Sequence, residues 1–109
     1  MAHTYDRYDE STHAGFKKFS LLDGYKLEES HQDIRNLPVY TPAGVKIGQV
    51  DDLLVDTENE RVAYVTLEDG GMIAVEPLEI LDDRVIDHGV GATLASGARP
   101  YAGRAVRGV

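Results

Sequence analysis

A chain of 109 residues has room for one core, because below roughly 150 residues a second independent core is rarely supported, and the absence of cysteine excludes disulfides, thiolate metal sites and a cysteine nucleophile together. The formal net charge of −8 is concentrated in residues 31–88, where four Lys/Arg stand against thirteen Asp/Glu; residues 1–30 carry −2 and residues 89–109 carry +3. Such a body repels phosphate backbones, which argues against sequence-blind nucleic-acid binding and for a basic partner surface.

Residues 1–15 are polar and lack a sustained period, so the first twenty residues read as a flexible lead-in. Its start has no basic-then-apolar signal pattern, and no apolar run in the chain approaches the roughly 18–20 residues that span a bilayer. With no cysteine to protect, the expectation is a soluble cytoplasmic protein. In FKKFSLLDGYKL, Phe16, Phe19 and Leu22 recur at three-residue spacing before Asp23-Gly24 breaks the pattern, which fits a short helical turn, an irregular clasp or disorder.

The middle of the chain reads as β. Leu37-Pro38-Val39-Tyr40 is a short apolar run stopped by Thr41-Pro42-Ala43-Gly44, where Pro42 presets φ and Gly44 is free to take φ > 0. Val45 to Val55 forms the next run, and Asp56 opens a polar connection to Arg61-Val-Ala-Tyr-Val-Thr-Leu67, dense in β-branched and aromatic residues. Glu68-Asp-Gly-Gly71 is a hairpin signal, followed by the strand Met72 to Val75, which Pro77 ends. Leu78 to Leu81 is expected as one helical turn, and Arg84 to Asp87 as a last short strand. Five to six short strands without a long amphipathic helix predict an all-β fold, a small barrel or sandwich. After His88 the composition changes to five Gly and five Ala in 21 residues, so residues 89–109 are expected to be a disordered Gly/Ala/Arg-rich tail.

Several of these stretches carry a resemblance. Asp33-Ile-Arg35, Pro38-Val39-Tyr40, Gly44, KIGQVDDLLVD from Lys46 to Asp56, RVAYV from Arg61 and AVEPLEIL from Ala74 together resemble the PRC-barrel domain over residues 21–88. This small β-barrel is named after the cytoplasmic part of the photosynthetic reaction-centre H subunit. It also forms the C-terminal domain of a ribosome maturation factor, and it occurs in short stand-alone bacterial proteins, some stress-associated. The resemblance implies a non-enzymatic binding module, with a ribosome- or RNA-processing role as the alternative. Asn36 departs from the pattern, standing where such proteins often have Gly after Arg35.

The carboxylates of KIGQVDDLLVD do not make a site. Asp51 and Asp52 are adjacent, so on a regular strand they point to opposite faces, and Leu53-Leu54-Val55 follows where a calcium loop needs alternating oxygens. Ile47, Leu53 and Val55 share one parity and Val50 has the other, so a kink at Gly48 or at Asp51-Asp52 is needed to bring Val50 inward. Gly44, Gly48, Asp51, Asp52 and Asp56 therefore read as architecture, the aspartates bonding backbone amides at the kink and the turn. Asp6, Asp9, Glu10 and His13 lie on the lead-in, a poor scaffold for a metal, and neither His31 nor His88 has a serine nucleophile motif beside it. No catalytic, metal or cofactor residue is assigned.

The tail's Arg99, Arg104 and Arg107, with Tyr101, are a weak nucleic-acid signal. A stronger candidate is the strand from Arg61: Ala63, Val65 and Leu67 share one face, which leaves Val62, Tyr64 and Thr66 in need of cover. Either Leu21, Leu22, Tyr25 and Leu27 of the lead-in cover that face, or it is a partner surface, extended by Tyr40, at which the chain forms a homodimer.

Overall fold

A computed structural model of the chain describes residues 6–7, 15–29, 32–89 and 91–108. Ten strands lie within these: β1 (Asp6–Arg7), β2 (Phe16–Lys18), β3 (Tyr25–Leu27), β4 (Pro38–Tyr40), β5 (Lys46–Asp56), β6 (Arg61–Leu67), β7 (Gly71–Ala74), β8 (Leu78–Ile80), β9 (Val85–Asp87) and β10 (Ala105–Arg107). A 3-10 helix, Phe19–Leu21, separates β2 from β3. The body is the six strands β4 to β9, and the all-β class is as the sequence led us to expect.

The main sheet runs β1-β7-β6-β5-β4-β9-β8, with β2 added to β5, and β10 pairs β3 in a separate ribbon. All pairings are antiparallel except that of β4 with β9. The turn before β5 closes as its residues require: Gly44 takes φ +89, and its N–H donates to the Thr41 carbonyl at 2.9 Å.

Strand β5 is the spine, and three register shifts in its pairings set its faces. Against β6, Val50 pairs with Leu67 but Asp52 with Thr66, so Asp51 is an extra residue. This bulge reverses the parity, and Val50, Leu53 and Val55 all enter the core fully buried. One kink thus falls at Asp51, and another lies beside Gly48, where Val39 pairs with Gly48 but Tyr40 with Lys46, so that Ile47 is an extra residue against β4. Gly48 has a different reason to be small, since a Cβ there would lie 3.0 Å from the Leu67 side chain.

A further shift follows on β6, where Leu54 pairs with Tyr64 and Val55 with Val62, leaving Ala63 an extra residue against β5. It turns Val62 inward beside Val65, and these join Ile34, Val39, Leu78, Ile80 and Val85 in one buried cluster.

Two expectations need correcting. Leu78 to Leu81 is not a helical turn: Leu78 and Ile80 point into the core with Glu79 between them facing out, a period of two that makes β8 a strand. Of the segment expected to be a disordered tail, residues 99–107 lie against the body. Ile80 N–H donates to Arg99 O, Tyr101 N–H to Leu78 O, Val62 N–H to Gly103 O and Glu28 N–H to Arg104 O, after which β10 pairs β3.

The segment 99–103 thus bonds to both β8 and β6. Composition hid this because its anchors are few: Tyr101 and Ala105 are buried, and Gly103 is required where a Cβ would lie 2.8 Å from Cε2 of the Tyr101 ring. Tyr101 Oη donates to the Gln32 carbonyl at 2.9 Å.

Candidate functional site: two faces of the sheet

The surface expected around β6 is largely filled by the chain itself. Val62 is buried by the Ala63 shift, so it is not a surface residue. Thr66 keeps its outward parity but is also buried, with Oγ1 donating to the Asp52 carbonyl at 3.4 Å. Tyr64 is half-buried under Phe16 of β2, ring centroids 5.3 Å apart and edge to face. Of the lead-in residues expected to provide cover, Leu22, Tyr25 and Leu27 pack against the core, joined by Phe19, while Leu21 is exposed.

The lead-in is pinned by Asp52. Its Oδ2 accepts from Ser20 Oγ, and its Oδ1 accepts from Ser20 N–H at 3.3 Å and from Leu53 N–H at 2.8 Å. Asp52 is buried, while Asp51, the bulged residue, is exposed. Asp56 caps the following turn, with Oδ1 accepting from Glu58 N–H at 3.1 Å and Asn59 N–H at 3.2 Å. Oδ2 takes the Asn59 side-chain amide at 2.7 Å, and these bonds, that from the side chain foremost, hold the Asp56 carboxyl below its ordinary value. Each of these aspartates therefore has a structural task or faces solvent.

Tyr40 lies elsewhere. It pairs with Lys46 at the start of β5, whereas Tyr64 pairs with Leu54 eight residues on, at most about 26 Å away along the strand. With Val62 and Thr66 buried and Tyr64 under Phe16, the four expected residues do not form one exposed patch. Around Tyr40 the sheet β8-β9-β4-β5 presents an outer face. Glu79 is paired with Ile86, Ile86 with Tyr40 and Tyr40 with Lys46, so these four share that face, with Val39, Val85 and Ile80 on the inner one.

Tyr40 and Ile86 are half-buried and Lys46 is exposed. The Arg84 guanidinium lies 4.8 Å from the Tyr40 ring centroid and holds Asp83 Oδ1 at 3.2 Å. His88 Nε2 meets Glu79 Oε1 at 2.8 Å. Sequence reasoning named Tyr40 but missed its neighbours, because the parallel pairing of β4 with β9 joins residues 46 positions apart.

The three tail arginines are engaged within the chain. Arg99 lies 3.6 Å from Asp82, Arg104 lies 3.7 Å from Glu28, and Arg107 stacks over Tyr25 at 5.7 Å. Among the described residues no three His, Asp or Glu side chains are grouped to hold a metal, and no helix is long and apolar enough to cross a membrane. Asp9, Glu10, His13 and His31 lie outside the described residues.

The sequence model of the PRC-barrel domain matches residues 27–90. No curated protein matches the chain.

Proposed function

The chain belongs to the PRC-barrel domain family, in general a family of protein-interaction modules, and on that premise we propose that it is a non-enzymatic cytoplasmic adaptor that docks protein through the outer face around Tyr40. The observation that carries this reading is the pairing of Tyr40 with Ile86 on a sheet face flanked by Arg84, while the face over β5 and β6 is occupied by the chain's own Phe16. Tyrosine and arginine around an aliphatic centre are the side chains that most often supply binding energy at protein interfaces.

The alternative, a ribosome- or RNA-associated role, rests on Arg99, Arg104 and Arg107, of which the first two each lie beside a carboxylate that offsets their pull on phosphate. An acidic body adds repulsion.

Crosslinking tests the reading. A photoreactive phenylalanine replacing Tyr40 should form protein adducts in cell extract, and one replacing Glu58, on the polar turn after β5, should not. Equal adduct yields at the two positions would sink the proposal. Retention of RNA that falls steeply with salt would favour the alternative instead.

A further inference from the structure

The row Glu79, Ile86, Tyr40, Lys46 crosses four neighbouring strands through paired residues, with a bulge at Ile47 beside its last pair, and carries opposite charges at its two ends. Strands lie about 4.8 Å apart, so the row is about 14 Å long, and its midpoint falls between Ile86 and Tyr40 with Glu79 and Lys46 each about 7 Å away. The row therefore maps onto its own reverse with charges exchanged. A two-fold interface requires that property, since the same patch must complement itself.

We infer that this row is an isologous contact between two copies of the chain, with the two-fold axis passing between Ile86 and Tyr40. The inference rests on the reading that this face docks protein, and it names the occupant. About the axis, Glu79 of each copy faces Lys46 of the other, and the Ile86 and Tyr40 side chains form an apolar centre between these polar ends. The cation nearest the axis, Arg84, brings its own counterion in Asp83, so two copies of it meet without unpaired like charge. The stacking of Arg84 on Tyr40 holds the ring in place before contact, which reduces the ordering cost of association. Two chains of net charge −8 repel as whole bodies, so the contact depends on this local exchange of Glu79 and Lys46.

The test is a charge-reversal set studied by sedimentation equilibrium, with circular dichroism to verify folding. The unmodified chain should dimerise. Glu79→Lys gives a row with two positive ends and Lys46→Glu one with two negative ends, so each variant alone should dissociate about tenfold more readily or worse. Mixed in equal amounts, the two should form a heterodimer. A merely structural role for either residue would not restore association on mixing. Lys46 is exposed, so Lys46→Glu remains informative if Glu79→Lys, which also loses the His88 contact, fails to fold.

A chain that stays monomeric at millimolar concentration overturns the inference. If crosslinking at position 40 persists in that case, the docking reading survives with a different occupant. A dimer indifferent to both reversals and to Tyr40→Asp overturns the inference and moves self-association to another face.

Discussion

Ser20 donates its hydroxyl to the carboxylate of Asp52, thirty-two positions later in the chain, and so fastens the 3-10 helix of the lead-in to the bulge of the central strand. The same carboxylate accepts the N–H groups of Ser20 and Leu53. Removing it leaves three donors to find other partners, in a place where Asp52 itself is buried. Asp52→Ala should therefore cost about 1–3 kcal/mol of stability, read from urea unfolding. Ser20→Ala keeps two of the three bonds and should cost less. If Asp52→Ala unfolds at the same urea midpoint as the unmodified chain, the clasp is energetically idle.

Asn36 has φ +74, a left-handed backbone in which its N–H donates to Val50 O at 2.8 Å. Asparagine tolerates this conformation better than any residue with a larger or branched side chain, and glycine adopts it freely. The departure from glycine at this position is thus a substitution between the two residue types the backbone accepts. Asn36→Ala should lose about 1 kcal/mol by denaturant unfolding, and Asn36→Gly should be near neutral. Equal losses in the two variants would remove backbone conformation as the cause.

Tyr101 supplies a dependence on alkaline pH. Burial, with a smaller contribution from the Asp33 charge and opposed by Arg35, pushes its phenol well above the ordinary 10.0. In the native state the group keeps its proton where the unfolded chain has lost it, so its contribution is fully present below about pH 10 and is lost as pH rises beyond. Absorbance titration should show Tyr101 ionising only as the chain unfolds, a component that Tyr101→Phe removes. Tyr101→Phe should be less stable at neutral pH by about 1 kcal/mol or more, because the Gln32 carbonyl loses its donor, yet lose less stability between pH 10 and 12. Ionisation of Tyr101 in the native state, before unfolding, would contradict this.

How much was legible in the sequence follows from what each feature depends on. The strands Lys46–Asp56 and Arg61–Leu67, the turn at Gly44 and the parity conflict around Asp51 are local properties of side-chain pattern, and all reappear in the structure. The shift at Ala63 was hidden, because Val62-Ala63-Tyr64-Val65 is an apolar run on both faces and only the register against β5 turns Val62 inward. Leu78 to Leu81 was read as helical because four residues cannot separate a period of two from 3.6; pairing with β9 decides it. Residues 99–107 escaped because small residues in tight backbone contact look the same in composition as a solvated tail. The outer face around Tyr40 could be read only in part, since its row is assembled from four strands and one parallel pairing.

The hydrogen bond from Tyr101 to Gln32 spans 69 positions, and the segment around it bonds to strands made much earlier in synthesis. Without residues 99–107 the free edge of β8 and the Val62 N–H at the start of β6 would have no backbone partner there, and the space that Tyr101 fills would be empty. Unpaired strand edges of this kind recruit other chains. A chain cut after residue 98 should therefore present a bare strand edge and associate with its own copies more readily than the full chain, an increase that light scattering reads.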